Sequence, residues 1–231
     1  MNKLTLPYFA LITGLLPIIA ANAAYLIGVS NGHLPSCIPY LEGCTSISST
    51  GRQPPESLVF RATMIPAAVF MAAYWHLNYA WLMAIGDRPT FGNRAMLWLG
   101  IIAAIFLIVY TVALGFIGPE YAMQRRIGVT FFFSFTFFAQ LLLAHRINQL
   151  MQTGKYAFLE TPYRAKMVIC ILMLSLGVII TPLKAIFPDK YYLEMIIEWN
   201  FALLMYLYFI VTFFAWRRSS FDLKFSTKEQ S

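Results

Sequence analysis

Charge is what this chain has least of. Lysine, arginine, aspartate and glutamate make up 12% of its 231 residues, about half the share of a soluble domain. So few charges cannot cover a water-soluble globule of this size. That excludes a soluble enzyme, a nucleic-acid binder and a disordered tail. The net charge of +7 does not point back to nucleic acid, because membrane proteins collect such a surplus in their cytoplasmic loops. Cysteine and histidine are scarce too, three of each. None of these stands at metal-ligand spacing, so neither a metal site nor a cofactor is expected. Gly-x-Ser-x-Gly, His-Glu-x-x-His and phosphate-binding glycine loops are all missing, as are internal repeats and low-complexity tracts. There is no Asn-x-Ser/Thr sequon.

What is present is apolar: 59% of the residues are hydrophobic and 16% aromatic. Five stretches carry no charge and a sixth is broken only by His76: Leu4–Gly28, Ala62–Gly86, Ala95–Ile117, Ile127–Ala144, Met167–Leu183 and Trp199–Trp216. About 20 apolar residues span the hydrocarbon core as a helix. The last three stretches are short as counted. Arg125 and Arg126 snorkelling before the fourth, and a start near Tyr191 for the sixth, bring them to length. The fold class expected is all-α, a polytopic six-helix membrane bundle forming one domain over residues 1–231. An outer loop covers 29–56, an inner loop 146–166 and a polar, mobile tail 217–231.

Orientation follows from lysine and arginine. With the N-terminus inside, eleven of the seventeen basic residues fall on the cytoplasmic side. Six (Arg52, Arg61, Arg125, Arg126, Lys184 and Lys190) fall outside, matched there by six acids. Both termini are therefore expected in the cytoplasm. Met1–Ala24 also has the look of a signal peptide, with Ala21-Asn22-Ala23 as a cleavage site. The apolar run continues to full spanning length, which favours an uncleaved first span.

The first outer loop is the most distinctive segment. Cys37 and Cys44 on the exported, oxidising side favour a small disulfide loop over two free thiols. Cys170, inside the fifth span, is expected to be a small apolar packing residue. After the cysteine pair come Ile47-Ser48-Ser49-Thr50-Gly51 and then Pro54-Pro55-Glu56 at the mouth of the second span. Glu198-Trp199 opens the last span, followed by Phe201, Leu203 and Leu204 and ending in Phe213-Phe214.

These segments resemble the signatures of the Frag/DRAM/Sfk family, also called the CWH N-terminal-domain type, over essentially the whole chain. The family form reads Ile-Ser-Asp-Thr-Gly before Pro-Pro-Glu, so Ser49 stands where an aspartate is usual and one outer carboxylate is missing. The resemblance implies a lipid-linked role. Relatives are associated with remodelling of GPI-anchor lipids, plasma-membrane lipid organisation or autophagy regulation.

Charges inside a span are costly and read as paired or functional. Arg61 and Glu198 both lie on the order of 10 Å below the outer surface at 1.5 Å per residue. Their matching depth and opposite sign predict an ion pair, which either sets helix register or binds a lipid phosphate or carboxylate through Arg61 with Glu198 as acceptor or base. Glu56, Glu194, Arg125 and Arg126 complete an expected polar cup at the outer boundary. The catalytic candidates are Arg61, Glu198 and Glu56. The ligand-binding candidates are Ser48, Thr50, Glu56, Arg61, Arg125, Glu198 and Trp199.

Other polar groups support less. His76 sits in an interfacial aromatic belt, and His145 is expected at the surface. The phenylalanine-rich run Phe131–Phe138 reads as packing and lipid contact. The inner-loop residues Arg146, Lys155, Arg164 and Lys166 are placed to attract anionic lipid heads.

Three function classes follow. The first is a protein that handles or remodels membrane lipids or a GPI-like lipid anchor at an outer-leaflet site. The alternative is a non-enzymatic scaffold or regulator docking a membrane-protein partner through its first outer loop. A transporter ranks last, because charges at the midplane and broken helices in repeat positions are lacking. Membrane lipids are the expected partners, and nucleic acid is not. A bacterial inner membrane is favoured, with a eukaryotic membrane as the other host.

Overall fold

The computed structural model describes residues 3–4 and 6–224. Six long helices form the bundle: α1 (Pro7–Ser30), α4 (Glu56–Ala84), α5 (Phe91–Ala113), α6 (Pro119–Met151), α7 (Glu160–Ile186) and α8 (Tyr191–Arg218). Each is long and apolar enough to cross a membrane, as the apolar stretches predict. Two one-turn helices, α2 (Pro39–Glu42) and α3 (Ile47–Thr50), lie in the loop between α1 and α4.

The helices outrun the charge-free stretches at their ends. The fourth span, read as Ile127–Ala144, is a 33-residue helix, and the loop expected at 146–166 shrinks because α6 continues to Met151 and α7 begins at Glu160. Charged residues end a hydrophobic run without ending a helix, since lysine, arginine and glutamate are good helix formers. Local chemistry sets the actual starts. Pro7 and Pro119 stand in the first turns of α1 and α6, where no amide donor is needed. Thr90 caps α5 by accepting from the Asn93 amide at 3.2 Å.

The six helices pack in a closed ring, α1 between α8 and α4, α5 between α4 and α6, and α7 between α6 and α8. Only 17% of the most apolar part of α7 is buried, against 39–44% in the other five long helices. The core is aromatic: Tyr74 and Trp75 on α4 meet Phe209 and Trp216 on α8, with Tyr74 and Phe209 centroids 4.8 Å apart. Small residues allow the helices to approach. At Gly100 a Cβ would lie 2.1 Å from the buried Trp75 ring, so α5 packs on α4 only with glycine there.

Both described ends of the chain lie at the same end of the bundle, where Lys3–Leu4 pairs antiparallel with Leu223–Lys224. The rest of the expected tail, including Lys228, lies outside the described residues. The opposite end is closed by the loop between α1 and α4, in which Cys37 and Cys44 are joined as a disulfide.

Candidate functional site beneath the disulfide-bonded loop

The loop after α1 folds down as a cap because α1 and α8 present polar groups to its backbone. The Tyr25 hydroxyl accepts from the Cys37 amide at 2.9 Å and lies 2.8 Å from the Cys37 carbonyl. Asn22 donates to the Tyr40 hydroxyl at 2.9 Å, and Asn200 to the Tyr40 carbonyl at 2.8 Å. The buried Trp199 indole donates to the Thr45 carbonyl at 2.9 Å. Gly43, at φ +62°, runs so close to α8 that a Cβ would lie 2.0 Å from the Tyr192 carbonyl oxygen. Glycine is required there on both counts.

α3 carries the Ile47–Gly51 signature. Ser46 caps it, accepting from the Ser49 amide at 3.2 Å, and the Ser49 hydroxyl lies 2.9 Å from that of Ser46. Ser49 thus occupies the third helical position of the turn, where a capping-box acid would stand, and a hydroxyl-to-hydroxyl bond takes that place. The Thr50 hydroxyl is fully buried and donates to the Ile47 carbonyl at 2.7 Å. Ser48 reaches into the bundle, its hydroxyl 2.9 Å from that of Tyr110.

Glu198 lies directly below. Its carboxyl faces the backbone N–H groups of Ile47 and Ser48, with Arg52, Tyr110, Tyr206 and Glu194 as the surrounding ionisable groups. With Tyr110 and Tyr206 it lines a narrow cavity whose other walls are Ile47, Phe60, Met64, Leu107, Val129, Phe132 and Phe133. About 10 Å³ of it is open to the centre of a water molecule, room for about one water. Phe133 also lines a second, apolar groove of about 180 Å³ on the flank of the bundle, shared with Phe137, Phe138, Met173, Leu174 and Phe201. Phe133 therefore lines both the Glu198 cavity and the groove on the flank of the bundle.

The expected Arg61–Glu198 pair does not form. Arg61 donates from Nη2 to the Leu114 carbonyl and stacks on Phe116, 5.2 Å from the ring centroid, while Glu198 turns to α3. Similar depth on two helices is not enough, because each side chain finds backbone groups left open by a nearby helix end. The polar cup divides in the same way. Glu56, almost fully buried, takes His33 at 2.8 Å on the α1 side, and its second oxygen has no partner. Glu194 pairs with Lys184 at 2.8 Å. Arg125 donates to the carbonyls of Ala113 and Phe116 at 3.1 and 2.9 Å, and Arg126 is exposed.

At the opposite end, two cations expected to face lipid heads do not. Arg146 is held by Asp87, with Nε to Oδ2 at 2.7 Å. Lys166 is fully buried, donating to the Thr212 hydroxyl at 2.7 Å over the Tyr208 ring at 3.5 Å. Its helical phase was the available signal: Pro162, Lys166, Ile169, Cys170 and Met173 are the buried face of α7. Tyr110 and Tyr206, unremarked in the sequence, enter the site because α5 and α8 turn them towards Glu198. His76 is exposed, and the phenylalanine run divides by helix face, with Phe132 buried and Phe131 and Phe138 exposed.

No curated protein and no solved structure matches the chain. The family model described as the Frag1/DRAM/Sfk1/Cwh43P N-terminal domain matches residues 5–218, and this six-helix membrane protein belongs to that family.

Proposed function

We propose that the protein handles membrane lipids, in remodelling of a lipid or GPI-like anchor, with its disulfide-bonded end facing the outer leaflet. One observation carries the reading: a single carboxyl, Glu198, is set in an otherwise apolar and tyrosine-walled cavity under the family's signature loop. Phe133 lines both this cavity and the apolar groove on the flank of the bundle. In this reading an acyl chain enters between α6 and α7, and the polar linkage of the lipid comes to rest against Glu198. The carboxyl acts as acceptor or general base, oriented by the Ile47 and Ser48 amides. Family membership supports the lipid setting, and the disulfide supports an oxidising compartment for the loop, with a bacterial inner membrane as the favoured host.

Lipidomics of a deletion strain, together with turnover of a labelled acyl donor by reconstituted protein, tests this. Glu198→Gln is expected to lower turnover about 100-fold or more, in the range of a lost acid–base group, while the purified variant keeps its melting profile. Unchanged lipid chains in the deletion strain, together with no turnover by wild type, would overturn the reading.

A docking role for the loop has its own support. Ile38 and Leu41 are 55% and 71% exposed beside the disulfide, an apolar pair suited to a membrane-protein partner. Co-purification that depends on Leu41, with lipids unchanged, would favour that role.

A further inference from the structure

Three arginines, Arg52, Arg61 and Arg125, meet the turn between α5 and α6. Arg61 and Arg125 hold the turn by donating to the carbonyls of Leu114, Ala113 and Phe116. Gly115 lies between, at φ +83°, where a Cβ would stand 2.6 Å from Arg61 Nη2 and 2.9 Å from the Arg52 carbonyl oxygen. Above it opens a groove of about 330 Å³ lined by Arg52, Gln53, Phe116, Ile117, Gly118 and Arg125. It shares no lining residue with the Glu198 cavity.

Among the described residues no ion pair closes on the charge in this groove, and Arg52 also stands among the ionisable groups around Glu198. Among the described residues the ion pairs are His33–Glu56, Arg146–Asp87, Arg164–Glu160 and Lys184–Glu194. Arg52, Arg61 and Arg125 are in none of them. Carbonyl oxygens accept hydrogen bonds without cancelling a full charge, and Arg61 Nε is buried with no acceptor. Of the acids nearest in sequence, Glu56 is engaged by His33, and Glu120 lies against Gly118 at the edge of the groove without lining it. The lip is apolar: Ile117 is 97% exposed and Phe116 46% exposed. A guanidinium fork suits phosphate oxygens in particular, and an exposed isoleucine beside it at a membrane boundary suits the start of acyl chains.

We infer that Arg52 and Arg125, backed by Arg61, bind the phosphate of an anionic lipid head group, with Ile117 and Phe116 against its glycerol and acyl region. The inference rests on the lipid-handling reading for its ligand, but concerns a different site from Glu198.

Binding of fluorescent phosphatidic acid to the purified full-length protein in neutral-detergent micelles tests it, with labelled phosphatidylcholine as the comparison lipid. Arg52→Gln combined with Arg125→Gln is expected to weaken phosphatidic acid binding by about tenfold or more, the loss of charge-assisted bonds. Arg126→Gln, at an exposed residue outside the groove, is expected to change it by less than about twofold. Arg125 also holds the turn, so the Arg52→Glu single variant provides the test if the double variant fails to fold. It should weaken binding more than Arg52→Gln does. Affinity unchanged in Arg52→Glu overturns the site. Displacement of the lipid by inorganic phosphate at equal potency would show the ligand to be the free anion and overturn its lipid half. Glu198→Gln is expected to retain phosphatidic acid binding. Lost turnover with retained binding in Glu198→Gln thus bears on Glu198, and lost binding in the Arg52 and Arg125 variants bears on the groove whatever their turnover, since Arg52 also stands near Glu198.

Discussion

Lys166 and Glu198 show how differently two ionisable side chains are accommodated in one bundle. Glu198 has backbone N–H groups in front of it and a cavity beside it. Lys166 has a hydroxyl, a distant carbonyl and an aromatic face, and is fully buried. No carboxylate pairs with it among the described residues. A buried cation without a counter-ion contributes little net stability, and an apolar side chain of similar length serves as well or better. Lys166→Met should therefore melt at or above the wild-type temperature in detergent, a gain of up to about 1 kcal/mol. A large drop would show that the amine holds Thr212 and Tyr74 in place. Neither residue's environment was legible from its neighbours in sequence. Lys166 follows Arg164 in a basic stretch that reads as surface, and only the spacing to Cys170 and Met173 hints that it turns inward.

Among the elements, the turn from α4 to α5 is clasped to α6. Asp87 accepts from Arg146 and, at 2.9 Å, from the Asn93 side-chain Nδ2. Burial pushes its carboxyl pKa up. The hydrogen bonds from Arg146, Asn93 and the Arg88 amide outweigh that and hold it below the usual carboxylate range. A carboxyl whose pKa is lowered by folding adds stability above its unfolded value, about 3.9, and that contribution is lost as pH falls through the folded value. Asp87→Asn should cost about 2 kcal/mol at neutral pH. Its melting temperature should then converge with wild type as pH falls below about 4. Parallel curves over that range would assign the clasp no role in acid sensitivity. The sequence placed Asp87 and Arg146 on the same side of the membrane but gave no pairing, because fifty-nine residues and two antiparallel spans separate them.

For the molecule as a whole, the cap matters more than the length of its loop suggests. It is bonded to α1 through Tyr25 and Asn22 and to α8 through Trp199 and Asn200, so it joins the first and last spans over the Glu198 cavity. The disulfide closes seven residues of chain separation, and replacing both Cys37 and Cys44 by serine should cost about 2 kcal/mol by loop entropy. The loss should appear first as faster proteolysis within residues 31–55, before the spans melt. A variant as resistant as wild type would mean that the Trp199 and Tyr25 bonds alone hold the cap.

The sequence by itself determined the class, the six spans, the cysteine pair and the family. These depend on composition, on the length of apolar runs and on short contiguous motifs, all of which are local. Only the tertiary structure decided which charges meet. It sent Arg61 to the end of α5, turned Glu198 to α3 and buried Lys166. The helices are apolar on nearly every face, so hydropathy carries little information on how each is rotated. That rotation follows from close packing, as where Gly100 receives Trp75, and from the need of every backbone group at a helix end for a partner where water is absent.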